Sequence, residues 1–230
     1  MTTRRTLPDR QVHLLRIANL RTSRTDESRT AVSATQHSVR NIWPHAAIAV
    51  VASCALGGAA ASAQVTNYET KGNQQSLSPV GCVDVPSVSR QNTPADIYPG
   101  VRKCIEAKDY VRGARLFAVA GVYGRFDTLR VLDESAHAAV PALQYLSFAQ
   151  IDEAVSAEFR ATVKVSFAPG SRELADLCKQ IRTLGPPAYA PTYMTQHGLS
   201  AITGTGGGLK ADFNPSQAWE SALTGYLNCP

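Results

Sequence analysis

From Ile42 to Ala63 the chain carries no charged residue, and the run closes on Ala61-Ser62-Ala63. This stretch decides which part of the chain has to fold. Its core, Ala46 to Leu56, is apolar and long enough for a secretory signal, while Gly57-Gly58 and the small residues after it argue against a stable membrane span. Small side chains at the last and third-last positions are what a signal peptidase admits, so cleavage is expected after Ala63. The structural alternative is a buried core helix, and the run has no amphipathic stripe to support it.

Two features of the leader leave alternatives open. Val51-Ala52-Ser53-Cys54 resembles a bacterial lipobox, in which the cysteine is lipidated and the protein is tethered to a membrane. The 38 residues before Val39 are long for an n-region and rich in Arg, Ser and Thr, as in a transit peptide. Initiation at Val39 gives a compact n-region, Val39-Arg40-Asn41-Ile42-Trp43, directly ahead of the apolar core. Thr3-Arg4-Arg5-Thr6-Leu7 is similar to a twin-arginine signal but lies far from the apolar run.

Charge follows the same division. The chain's formal balance of +5 belongs to residues 1–63, which hold eight arginines against three acids; residues 64–230 hold 15 basic and 15 acidic side chains. A neutral body lacks the counterion-releasing surface that nucleic-acid binding needs, so that class is excluded.

Export gives the cysteines their meaning. With Cys54 in the leader, the mature chain keeps Cys82, Cys104, Cys178 and Cys229, an even number in an oxidising compartment, and two disulfides are expected. No C-x-x-C pair is present, which disfavours zinc, and no metal or cofactor is expected. Three pairings are possible, and spacing favours Cys82 with Cys104 and Cys178 with Cys229.

The fold class expected is mainly α: one compact multi-helix domain with disulfides over 97–230, behind a flexible lead over 64–96 that is polar, turn-rich and pinned at Cys82. Helices are expected from about Tyr98 to Ala107 with Pro99 in the first turn, from Asp109 to Val122 with Gly124 as breaker, and then through Phe126, Leu129, Leu132, Ala136 and Ala139. Ser147 is expected to cap a helix through about Arg160. Thr162 to Phe167 alternates in a way that allows a short strand, although its continuation as helix is preferred. Ser171 caps a helix whose stripe is Leu174, Leu177, Cys178, Ile181 and Leu184, ended by Gly185. One or two turns follow Pro191 with Gly198 as stop, Thr203 to Gly208 is a loop, and Asn214-Pro215 opens a last helix carrying Ala218, Trp219, Ala222, Leu223 and Tyr226.

Ala107-Lys108-Asp109-Tyr110, with Gly113, Phe117 and Ala120, resembles the helix junction of a tetratricopeptide or Sel1-like repeat. The likeness spans about 98–123, departs at Gly113 where alanine is usual, and has no second copy. It implies one helical hairpin rather than a solenoid, and it hints at protein binding.

Groups able to carry chemistry are few. His137 and His197 are the mature chain's histidines. Asp133 and His137 stand four apart, within pairing reach on one helix face, where a surface pair is the ordinary outcome and a catalytic one the sharper reading. His197 is placed at a helix C-terminus, where the dipole favours the imidazolium and capping is its ordinary role. No G-x-S-x-G elbow occurs, and Gly204-Thr205-Gly206-Gly207-Gly208 with Lys210 does not match a phosphate-binding loop. Tyr189, Tyr193 and Met194, with His197, form the candidate partner-binding segment, since prolines stiffen it and the side chains are large and amphipathic; the alternative is that the rings cover the core. Two functions follow. One is an exported non-enzymatic protein that binds an unidentified protein partner in the cell envelope, as an inhibitor or immunity protein does; the other is an envelope hydrolase using His197 or His137 with a carboxylate.

Overall fold

The structure, a computed structural model, describes residues 69–230. The leader, with Val39, Cys54 and the Ala63 cleavage position, lies outside the described residues. Eight α-helices follow in order: α1 (Pro94–Glu106), α2 (Tyr110–Arg130), α3 (Ala139–Phe148), α4 (Glu153–Ser166), α5 (Arg172–Leu184), α6 (Thr192–Thr195), α7 (Leu199–Thr203) and α8 (Pro215–Tyr226). Two 3₁₀ turns, Val85–Ser87 and Glu134–Ala138, join them, and one antiparallel bridge links Val131 to Leu209. The described body is mainly helical, as expected.

Helix α2 is the axis of the packing. It buries Leu116, Val119, Val122, Tyr123 and Phe126 together with a run of Ala and Gly, while Val111 and Arg125 remain exposed. Buried positions spread around so much of a helix need partners on several sides. It packs on α1, α4 and α8. In its first half Phe117 meets Tyr98 at 6.1 Å, Phe148 at 6.0 Å and Phe159 at 6.1 Å between ring centroids, joining α1, α3 and α4. In its second half Phe126 meets Phe213 at 5.3 Å and Trp219 at 6.2 Å, joining α8. Edge-on aromatic pairs of this kind each add about 0.5 to 1.5 kcal/mol beyond the area buried.

Gly124 does not break this helix, contrary to expectation, and α2 runs to Arg130 as one element. A Cβ on Gly124 would lie 2.9 Å from Val140 Cγ2, so glycine here lets α3 approach. At Gly121 the Tyr226 ring occupies the space that a side chain would take. Both glycines answer to packing, and the helical backbone continues through them.

Three other boundaries differ from the sequence reading. Helix α1 starts at Pro94, because Thr93 and Asp96 form a capping box; Pro94 is the proline of the first turn and Pro99 lies inside the helix. Ser147 sits inside α3, bonded to the Leu143 carbonyl, while Asp152 caps α4 by accepting from Ala154 N at 2.8 Å. Residues 134–138 form a 3₁₀ turn, not the continuation of a helix from Phe126. Thr162 to Phe167 carries α4 on to Ser166, as preferred. Ser171 and Asn214 cap α5 and α8 through Leu174 N and Gln217 N.

The segment expected to be a lead is part of the body wherever it is described. Ser76 Oγ, Leu77 N and Ser78 N all donate to Asp96 Oδ1, at 2.9, 2.8 and 2.7 Å. Val85 and Val88 are buried in the core, and Gln74 N donates to the Tyr193 carbonyl. Polar composition hid this, because the residues that hold the segment lie on α1 and α6.

Both disulfides form in the pairing that spacing favours: Cys82–Cys104 with Cα atoms 4.9 Å apart, and Cys178–Cys229 with 5.6 Å. The first ties the start of the body to α1. The second ties the C-terminus to α5. Among the described residues no helix is long and apolar enough to cross a membrane.

Candidate functional site

The densest polar cluster lies at the end of α2, where Asp127 and Arg130 are three apart and face the same side. Asp127 has no solvent exposure. Its Oδ1 accepts from Arg130 at 2.7 to 2.8 Å, and its Oδ2 accepts from the hydroxyls of Tyr193 at 2.7 Å and Tyr189 at 2.9 Å. Arg130 donates further to the Tyr189 carbonyl at 3.0 Å, and its guanidinium carbon stands 5.1 Å from the Phe126 ring and 5.3 Å from the Tyr189 ring. Burial pushes the Asp127 carboxyl up, and the Arg130 guanidinium and the two phenols oppose that push. Burial, with Asp127 beside them, raises both phenols well above their ordinary range. Both Asp127 oxygens, both phenol hydroxyls and the Nε and Nη2 groups of Arg130 are engaged within the cluster. Its chemistry is therefore to join: it fastens the segment around 189–193 onto α2.

This geometry relocates the candidate partner-binding residues. Tyr193 is 2% exposed and Met194 is 0% exposed, so both belong to the core, and Tyr189 is half-buried with its hydroxyl on Asp127. Tyr193 and Met194 of the expected contact segment are thereby corrected to core residues, while Tyr189 and His197 stay half-buried. The prolines do set the backbone, but they aim the rings inward because Asp127 supplies the acceptor.

His197 is half-buried, with Nδ1 2.9 Å from Asn73 Oδ1 and 3.3 Å from Gln74 Nε2. Beside it the Thr70 hydroxyl donates to the Gln196 carbonyl. The expected cap on a helix dipole is not what forms: α6 has four residues, and burial lowers the His197 pKa instead of favouring the imidazolium. The side chain joins the segment around 70–75 to the end of α6.

Asp133 and His137 do not pair. His137 Nε2 lies 3.1 Å from the Val131 carbonyl, whereas Asp133 Oδ1 accepts from Ser135 and Oδ2 accepts from Ser200 N at 2.8 Å. Leu199 N donates to Ser135 Oγ at 2.8 Å, so the two free N–H groups that open α7 are met by a carboxylate and a hydroxyl from the 3₁₀ turn. The Ser135 and Ser200 donors hold Asp133 well below the usual carboxylate range. This cap acts across more than sixty positions of sequence, and no local pattern announces it.

The consequence is a rim. Val131 bridges to Leu209, Leu132 N donates to the Gly208 carbonyl, and the capped α7 stands beside the same turn. On these joined segments Leu132, Leu199, Ile202 and Leu209 are 48%, 65%, 46% and 51% exposed. Gly204, Gly206 and Gly208 take positive φ, which lets the chain turn back from α7 to the bridge. Sequence reasoning read this stretch as a loop only; the signal available was the i, i+3 spacing of Leu199 and Ile202 just before the glycines.

Among the described residues no group of three His, Cys, Asp or Glu side chains is placed to hold a metal. Every buried side-chain nitrogen and oxygen among them has a partner. No family model, curated protein or solved structure matches the chain.

Proposed function

We propose that the protein is exported to an oxidising compartment of the cell envelope and acts there by binding a protein partner, without catalysing a reaction. The rim of Leu132, Leu199, Ile202 and Leu209 carries this reading: four large aliphatic side chains lie in solvent on a frame held by cross-chain caps and a bridge. Isolated exposed leucines need no explanation, but four large aliphatic groups exposed on segments that are tied to one another support a contact surface. The polar groups that a hydrolase would use are engaged in structural bonds: Asp127 with Arg130, Asp133 with the start of α7, His197 with Asn73. The export signal at 42–63 and the two disulfides support the compartment.

Site-specific photo-crosslinking in cells tests this. A photoreactive residue at Ile202 or Leu209 is expected to give one discrete protein adduct, and the same group at Val165, 73% exposed on α4, is expected to give none. Equal labelling from Val165, or no adduct from any rim position, contradicts the proposal.

A further inference from the structure

Where the polar face of α5 meets α2 and the first 3₁₀ turn, Pro86, Arg115, Asp176, Lys179, Gln180 and Thr183 line an open cleft of about 490 Å³. Asp176, Lys179, Gln180 and Thr183 fall at i, i+3, i+4 and i+7, so one face of α5 supplies them. Arg115 comes from α2 and Pro86 from the turn, so the cleft exists only in the folded body.

The charges in it are unbalanced. One turn earlier on α2, Arg112 is neutralised by Asp84 at 2.9 Å and Asp109 at 2.5 Å. Half-buried Arg115 has neither a hydrogen bond nor an ion pair with any described residue, and the same holds for the Lys179 ammonium. Asp176, the one carboxylate in the lining, is directed to Arg172 at 3.9 Å. The Thr183 hydroxyl donates to the Lys179 carbonyl, which leaves the Gln180 amide as the neutral donor. A guanidinium partly withdrawn from water without a counter-charge is unfavourable, and an external anion removes that penalty.

We propose that this cleft is an oxyanion-binding site for a carboxylate or phosphate group. Arg115 supplies a planar fork, Lys179 a point charge and the Pro86 ring an apolar wall. The volume lies within the range of small-ligand sites, enough for an acidic side chain or a small organic acid. The proposal is independent of the aliphatic rim.

The test is an NMR titration of the oxidised protein with inorganic phosphate and, separately, with N-acetylglutamate, following the amides of Arg115, Lys179 and Gln180 and the Arg115 Nε–H. Saturating shifts confined to the cleft are expected with at least one probe, and the probe that saturates first distinguishes phosphate from carboxylate. Arg115→Gln and Lys179→Gln are each expected to weaken binding roughly fivefold, Asp176→Asn to tighten it about twofold, and Arg172→Gln to leave it within about twofold of the parent. The amide spectrum of each variant reports its folding. Shifts that stay linear in concentration for both probes, that spread equally to Arg172 and Arg182, or that persist unchanged in Arg115→Gln overturn the proposal.

Discussion

A carboxylate without solvent contact keeps its charge only where donors surround it, and Asp127 is met by Arg130 and two phenols. Arg130→Met leaves that carboxylate buried without its cation, and urea unfolding is expected to show a loss of about 3 to 5 kcal/mol. Adding Asp127→Leu is expected to recover part of that loss, since the double variant strands no charge; a further loss on adding it contradicts this account of the pair. Asp96 differs in its donors. Burial pushes its carboxyl up, but the N–H groups of Ser78 and Thr93 and the hydroxyls of Thr93 and Ser76 outweigh that, and the net shift is downward from 3.8. A carboxylate depressed in the folded state contributes stability above its unfolded pKa and loses that contribution as pH falls through the folded one. Asp96→Asn is therefore expected to cost about 2 to 3 kcal/mol at neutral pH and progressively less below about pH 4. Chemical unfolding of both proteins at pH 7 and at pH 3 checks this; an equal loss at both pH values contradicts it.

Helix α2 shows at the scale of elements where a sequence pattern stops being informative. Alanine is the better helix former, by about 1 kcal/mol over glycine. Even so, Gly124→Ala is expected to lower stability by about 1 kcal/mol or more, because Val140 stands 2.9 Å from the new Cβ and the α2–α3 contact must open. A rise in melting temperature for Gly124→Ala contradicts that reading. The helices capped by their own neighbours were legible: Ser171 and Asn214 open α5 and α8 as expected, and the stripe of Leu174, Leu177, Cys178 and Ile181 is buried. What escaped depends on groups far apart in the chain. Gly124 reads as a breaker until Val140 is placed beside it, and α7 has no visible start until Asp133 and Ser135 cap it. The sequence allows the tyrosines at 189 and 193 either as surface or as core, and the acceptor on Asp127 decides between them. The rim escaped for the same reason, since the bridge that joins its segments pairs Val131 with Leu209 across distant positions.

For the whole molecule the two disulfides set the frame, closing spans of 22 and 51 residues around α1 and α5. On chain-entropy grounds they contribute about 3 and about 4 kcal/mol, so Cys178→Ala with Cys229→Ala is expected to destabilise the body more than Cys82→Ala with Cys104→Ala, by about 1 kcal/mol. Thermal unfolding of the two double variants checks the order. That frame is consistent with an oxidising compartment, and the proposed function depends on the chain reaching one. Intact mass and N-terminal sequence of the protein recovered from cells, alkylated before and after reduction, test this most directly. An N-terminus at Gln64, no alkylation at Cys82, Cys104, Cys178 or Cys229 before reduction, and four alkylated cysteines after it are expected. A product retaining its leader, with the same four thiols alkylated without reduction, contradicts the proposed export.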